Sequence, residues 1–345
     1  MKKMLALLLA LVMVLSLAAC ASSQPAAAST ETAETTETTE PAAEESAEAP
    51  AESGKTYTVG VCQLVQHEAL DAATQGFIDA LKEELGDAVT VDVQNASGDS
   101  VNCGTIVNSF VSKGVDLIMA NATPALTAAV SATADIPVLG TSITAYGVAL
   151  DIDDFNGTVG GNVSGTSDLA DLQAQAQMIL DWFPETKTVG LLFCSAEPNS
   201  RYQIDEVRKA LEAQGVTCEE FAFTDSNDVS SVTQKAADFS DVVYIPTDNT
   251  AASNTEAIAN VLIPAGVPAI CGEEGLCHGC GVATLSISYY DLGVTTGKMA
   301  AKILKGEADI STMPVEYTDA TPKYNASVCE QLGITPLDGY EAIDG

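Results

Sequence analysis

The most reactive side chains in this 345-residue chain are those of two histidines, His67 and His278, and nine cysteines. Cys271, Cys277, His278 and Cys280 fall in one short stretch, and Cys-His-Gly-Cys offers thiolate and imidazole groups to a metal. Such a site needs a second ligand-bearing hairpin, and none follows. A local disulfide or free thiols are therefore expected, and no metal is assigned. His67 follows an apolar run, but no Gly-x-Ser-x-Gly turn or Cys-His signature accompanies it. No Gly-x-x-x-x-Gly-Lys-Ser/Thr loop is present to cradle phosphates. No catalytic residue and no cofactor is assigned, and a protein that is not an enzyme is expected.

The remaining chemistry sits in polar loops that follow strand-like runs. Asn121-Ala122-Thr123-Pro124 opens a helix, with Thr123 suited to the N-cap and Pro124 to the first helical position. Free amides and the helix dipole there attract an anion such as a ligand carboxylate; simple capping is the competing reading. Thr141 and Ser142 offer two hydroxyls after the next run. Ser195, Glu197, Asn199 and Ser200 lie where another helix opens at Pro198. Asp248 and Asn249 follow Asp241–Ile245; either one caps the next helix, or Asp248 faces a cleft and holds an ammonium group. Glu273, after the run ending at Cys271, adds a further carboxylate. Arginine occurs only at 201 and 208, so backbone amides and hydroxyls are expected to hold any anionic group, with Arg201 the one exception.

Strand-like and helix-like runs alternate from residue 55 onward, which argues for parallel sheets covered on both faces. The order recurs. Thr58-Val-Gly is echoed by Thr188-Val-Gly, Asp116-Leu-Ile-Met-Ala by Asp241-Val-Val-Tyr-Ile, and Ile136-Pro-Val-Leu-Gly by Val267-Pro-Ala-Ile-Cys-Gly. An internal repeat means two similar α/β lobes, with ligands bound at the carboxyl ends of the strands. Residues 55–165 with 288–315 are expected to form the N-terminal lobe, and 166–287 with 316–345 the C-terminal lobe. A helix over Asp168–Phe183, capped by Thr166, Ser167 or Asp168, joins the halves. A strand over Ala283–Ile287 and a helix over Leu292–Leu304 match nothing in either repeat and are expected to carry the chain back.

The charge balance excludes whole classes of partner. Fourteen Lys and Arg stand against 48 Asp and Glu, a formal net charge of −34. A nucleic-acid binder needs the opposite sign. Residues 1–20 run from Met-Lys-Lys through an apolar stretch to Leu17-Ala-Ala-Cys20, which has the form of a secretory signal. Its end resembles the bacterial lipobox, which implies lipidation of Cys20. Residues 21–54 are almost entirely Ala, Ser, Thr, Pro and Glu, an acidic linker expected to be disordered. The expected location is outside the cell, lipid-anchored to the outer face of the bacterial cytoplasmic membrane, with the N-terminal lipid as the only membrane contact.

Several stretches occur in an order that resembles a known family. They are Gln63-Leu-Val-Gln-His67-Glu-Ala-Leu-Asp71, Gln94-Asn-Ala-Ser-Gly-Asp99, Ala122-Thr-Pro-Ala125, Gly161-Asn-Val-Ser-Gly-Thr-Ser-Asp168, Pro246-Thr-Asp-Asn-Thr250 and Tyr289-Tyr-Asp-Leu-Gly293. Over roughly residues 57–335 the chain resembles the ABC-transporter substrate-binding lipoproteins of the tryptophan/tyrosine type. The resemblance implies a type I periplasmic-binding-protein fold of two Rossmann-like lobes with a three-crossing hinge. It implies capture of a small solute, an aromatic amino acid, for an ABC permease and its ATPase. By position, Gln63, Thr123, Pro124, Thr141, Ser142, Asp168, Ser195, Glu197, Asn199, Ser200, Asp248, Asn249 and Glu273 are the candidate contacts, with Tyr146 or Tyr289 lining an apolar slot. Cys277-His-Gly-Cys280 departs from the family's turn. Two other readings compete: a sensor ectodomain serving a signalling partner, and an exported hydrolase or metal-thiol protein.

Overall fold

In the computed structural model, residues 54–343 are described; the expected signal segment, Cys20 and nearly all of the 21–54 linker lie outside the described residues. The first repeat runs β1 (Tyr57–Gln63), α1 (Glu68–Leu85), β2 (Val89–Asn95), α2 (Ser100–Lys113), β3 (Leu117–Asn121), α3 (Thr123–Ala132), β4 (Val138–Ile143), α4 (Tyr146–Ala149) and β5 (Val163–Ser167). Its strands are parallel, in the order β5-β4-β3-β1-β2. Every residue of β3 and β4 is buried, as a parallel strand covered on both faces requires. Phe110 and Leu126 cover one face, and Phe77, Met119 and Leu139 pack on the other.

The second repeat runs α5 (Leu172–Trp182), β6 (Thr188–Cys194), α6 (Pro198–Ala213), β7 (Thr217–Phe223), α7 (Val229–Phe239), β8 (Val242–Ile245), α8 (Asn249–Ala252), α9 (Thr255–Ala265), β9 (Ala269–Cys271), α10 (Glu274–Cys280) and β10 (Ala283–Ser286). The strand order β10-β9-β8-β6-β7 repeats that of the first sheet, again parallel. The strand expected over Ala283–Ile287 therefore does have a counterpart: β10 is the second copy of β5. Val-Ser-Gly-Thr-Ser and Ala-Thr-Leu-Ser are short and rich in hydroxyls. Neither shows the apolar run that marks the other strands, so their equivalence emerges only from sheet position.

The chain then continues through α11 (Tyr289–Lys305), β11 (Glu316–Tyr317), β12 (Thr321–Tyr324), α12 (Ala326–Leu332) and β13 (Glu341–Ala342). Helix α11 packs along α1, and β11 adds to β5 in the first sheet. Strand β12 pairs antiparallel with β10 in the second. The chain thus passes between the sheets three times, after Ser167, after Ser286 and after Tyr317. Thr166, Ser167, Glu316 and Tyr317 stay in the first sheet, because β5 and β11 bond to one another across those residues.

The joining helix also starts later than expected. Asp171, not Thr166, Ser167 or Asp168, caps α5, its Oδ1 accepting from the amides of Gln173 at 2.9 Å and Ala174 at 3.1 Å. Residues 168–170 are left as an extended crossing, and Asp168 is released from helix duty.

The eight cysteines from Cys62 to Cys329 are free thiols, and all but Cys218 are buried. The disulfide alternative for the Cys271–Cys280 stretch is therefore not what forms. Cys277 and Cys280 point into the core from α10, and among the described residues no cluster of His, Cys, Asp and Glu could hold a metal ion. Among the described residues no helix is long and apolar enough to cross a membrane.

Candidate functional site

The loops at the carboxyl ends of both sheets face one another, and the crossings pass between them. They enclose a small cavity of about 10 Å³. The first lobe contributes His67 and Leu70 at the start of α1, and Ser142 and Thr144 at the end of β4. Asp168 and Tyr289 come from the first and second crossings. The second lobe contributes Asn199 from the start of α6, Thr247, Asp248 and Asn249 after β8, and Glu273 after β9. Ser142, Asp168, Asn199, Asp248, Asn249 and Glu273 are thus brought together as neighbours. A cavity of this size admits one water-sized group, so a larger solute enters only when the lobes part.

Seven other candidates have different surroundings. Gln63 braces the loop before α1, donating to Asp71 Oδ1 at 2.6 Å and accepting from the Thr74 hydroxyl at 2.7 Å. The Thr141 hydroxyl lies 3.1 Å from that of Thr166 and 3.2 Å from that of Thr296, tying β4, β5 and α11 together. Thr123 is buried in the first turn of α3, which begins one residue earlier than expected, after Ala122 at φ 87°. Pro124 and Glu197 line an outer groove of about 450 Å³ between the lobes. Ser195 donates to the Phe223 carbonyl at 3.2 Å, and Ser200 is fully buried. Glu197 accepts four bonds from Asn249 and Thr250, between 2.7 and 3.0 Å, and so holds the start of α8.

Arg201 and Tyr146 are also used elsewhere. Arg201 bonds Glu220 at 2.8 Å and stacks over Phe193, 4.4 Å from the ring centre. Tyr146 is buried in the first-lobe core, donating to the Thr166 carbonyl at 3.2 Å. Thr144, Thr247, Leu70 and Ala252 are cavity residues that the candidate set lacked, while His67 lines the cleft as its place after the first apolar run allows. The first two adjoin Ser142 and Asp248 in the same loops, and that adjacency was the available signal. Leu70 carries only the apolar stripe of an ordinary core helix.

The acidic groups of the cavity fall into two kinds. Asp248 caps α8: its oxygens accept from Cys194 N at 2.6 Å and Ala251 N at 2.8 Å. Glu273 caps α10, accepting from Gly275 N at 2.7 Å and Leu276 N at 2.5 Å. Asp168 caps no helix, although the Thr144 hydroxyl and its own amide lie near enough to favour the charged form. Its Oδ2 accepts from the Tyr289 hydroxyl at 2.9 Å, and its Oδ1 is buried with no partner. Two more buried polar atoms on the cavity walls lack partners, Ser142 Oγ and Asn199 Oδ1. Buried polar atoms are nearly always bonded, and three of the nine exceptions among the described residues surround this one cavity.

Burial dominates the proton affinities. It pushes the Asp168 carboxyl above the usual range. Burial and the nearby Glu197 raise Asp248 to about 8, and burial raises Glu273 to about 7. His67 is pushed down by burial. Asn249 gives its amide N–H to Glu197, so its Oδ1 is the acceptor facing His67 Nε2 at 3.3 Å, and His67 donates as a neutral ring. Both histidines reach across the cleft, since His278 Nδ1 lies 3.2 Å from Glu68 on the first lobe. No lysine or arginine lines the cavity, which disfavours anionic solutes.

These carboxyls set a pH dependence of stability. Between the ordinary carboxyl range and pH 7–8 the folded protein holds protons that the unfolded chain has released. Stability therefore falls as pH rises through that window. Glu273 alone accounts for as much as about 3 kcal/mol. The melting temperature is expected to be several degrees lower at pH 8.5 than at pH 5.5. Glu273→Gln should flatten the slope in a pair of calorimetric pH series; an unchanged slope would remove Glu273 as its source.

Known proteins can now be set beside this geometry. Residues 58–339 match the family model described as ABC transporter substrate binding protein. A tyrosine-binding protein of Clostridioides difficile (strain R20291) is 32% identical over 276 residues, 78% of this chain and 79% of that protein. A Streptococcus pneumoniae ABC domain solved in complex with L-Trp is 32% identical, with a TM-score of 0.79 over 84% of this chain and 100% of that one. A substrate-binding protein with adhesive properties from Clostridium difficile, solved ligand-free and open, is also 32% identical over 84% of this chain and 99% of its own, but with a TM-score of 0.64. At equal identity and nearly equal coverage, the chain superposes better on the L-Trp complex than on the open structure. The two parallel-sheeted lobes are those of type I periplasmic binding proteins. From the match over most of its length, the chain belongs to the ABC transporter substrate binding protein family.

Proposed function

We propose that this substrate-binding protein captures an aromatic amino acid between its lobes and hands it unchanged to an ABC permease. The observation that carries the reading is the set of three unpartnered buried atoms, one from each lobe and one from the first crossing. Asp168 Oδ1 is the only carboxylate oxygen among them, and it takes the ammonium group. The ligand carboxylate takes the hydroxyl of Ser142, because no cationic side chain lines the cavity. Leu70 and the Tyr289 ring supply the apolar wall. A tyrosine-binding relative and a related domain solved with L-Trp support the aromatic class. Contacts to both lobes at once favour an arrangement closed over the ligand and wider than this one by the room the ligand needs, which is how a ligand drives a hinge.

The site residues retained in this reading are Ser142, Asp168, Asn199 and Asn249, with Asp248 and Glu273 shaping the walls as helix caps. The amino-terminal segment completes the proposal: export, lipidation at Cys20, and tethering outside the cell through the 21–54 linker. Calorimetric titration with the twenty amino acids tests the ligand class. Heat with Trp or Tyr and none with acidic or basic amino acids is expected. Silence from all twenty, with binding of some other solute, rejects it.

A further inference from the structure

Asn199 presents a second buried acceptor without a donor, on the opposite lobe from Ser142. It sits in the first turn of α6 and is 5% exposed. Its amide nitrogen is surrounded by acceptors: Glu197 Oε2 at 3.3 Å, Ser200 Oγ at 3.3 Å and the Thr247 carbonyl at 3.1 Å. Turning the amide over would set its oxygen against a carboxylate and a carbonyl, so the orientation is fixed by chemistry. Gln203 locks the arrangement from behind, donating to the carbonyls of Asn199 and Thr247, both at 3.1 Å, and accepting from Thr247 N at 3.0 Å. Asn199 Oδ1 is thereby held as a buried acceptor without a donor, on a residue that lines the cavity.

We infer that Asn199 reads a hydrogen-bond donor on the ligand's ring, admitting tryptophan and tyrosine and rejecting phenylalanine. The inference rests on the amino-acid reading above, with the ammonium on Asp168 and the ring, rather than a further ammonium N–H, on Asn199. An indole N–H or a phenol O–H supplies the missing donor. A phenyl ring supplies none and leaves the acceptor desolvated and unbonded, which costs roughly 10- to 100-fold in affinity.

The test is calorimetry on the wild-type protein with Trp, Tyr, Phe and 3-benzothienylalanine, in which sulfur replaces the indole N–H at nearly the same shape. Trp and Tyr should bind at least 10-fold more tightly than the two ligands without a donor. Asn199→Ala should lose affinity for Trp and Tyr while keeping that for Phe, so the discrimination collapses. Equal wild-type affinities for Trp and benzothienylalanine, and for Tyr and Phe, would overturn the inference and leave the amino-acid reading standing. A variant that weakens all four alike would assign Asn199 to positioning instead. Wild-type silence toward all four would remove the amino-acid reading and this inference with it. Should Asn199→Ala fail to fold, the wild-type ligand series alone decides.

Discussion

Asp168→Asn is expected to weaken binding of the cognate amino acid by roughly 100-fold while leaving the unliganded protein at least as stable as wild type. Removing one partner of a buried ion pair costs about 2–5 kcal/mol, and 100-fold corresponds to about 2.7 kcal/mol. In the protein alone Asp168 has no cationic partner; the Tyr289 hydroxyl bonds one oxygen, the Thr144 hydroxyl and its own amide lie nearby, and burial still raises its proton affinity. Asn fills the same space, still accepts from Tyr289 and carries no charge to desolvate. Stability is thus given up by the natural residue for the sake of the ligand. Calorimetry and thermal melts on the same samples check both halves. A loss of affinity matched by a fall in melting temperature would make Asp168 a structural residue. Unchanged affinity would place the ammonium elsewhere. The wild type should also bind more weakly as pH falls and Asp168 takes up a proton, with an onset above the ordinary carboxylate range because its affinity for the proton is raised. The variant should lack that onset.

Gly165→Ala is expected to destabilise the protein by about 3 kcal/mol or more. Gly165 sits in β5 at φ 145°, paired with Gly140 of β4. A Cβ at this φ would run into the Gly140 carbonyl and the Tyr146 hydroxyl, and would lie 2.6 Å from the Gly140 amide nitrogen. The obstruction is largely backbone, so no side-chain rotation relieves it. The two facing glycines form the seat on which Tyr146 lies, and they explain why its hydroxyl reaches the Thr166 carbonyl. Gly157→Ala is the matched control: φ is 95°, but nothing stands within 4 Å of the new carbon. Only backbone strain remains there, about 1 kcal/mol. Denaturant midpoints for both variants give the comparison, and equal midpoints would discard the steric argument. The consequence extends to function, because β4 and β5 lead directly to Ser142 and Asp168.

Much of the architecture was legible in the chain. The repeated strand-helix order, the apolar runs of β1, β3, β6 and β8, and the matching stretches 125 to 131 residues apart follow from burial on two faces of a parallel sheet. The fifth strand of each lobe was less visible, since small hydroxylated residues serve equally well in loops. The site was legible as a set of loops but not as a set of contacts. Gln63, Thr141 and Glu197 carry the residue types of a binding site, yet each is consumed by a neighbour that lies near only in the fold: Asp71 and Thr74, Thr296, and the start of α8.

What the amino-acid sequence determined by itself is the duplicated α/β plan, the placement of polar loops at strand ends, and a cleft with almost no arginine to offer. What only the tertiary structure decided is which carboxylate is free. Asp168, Asp248 and Glu273 are similar in kind, each an acidic residue between a strand and a helix, and each able either to cap that helix or to face a ligand. Asp248 and Glu273 stand immediately before their helices, and the unsatisfied amides of the first turn claim their oxygens. At α5 the helix begins four residues beyond Asp168, Asp171 takes the amides instead, and Asp168 keeps one oxygen unbonded at the centre of the cleft.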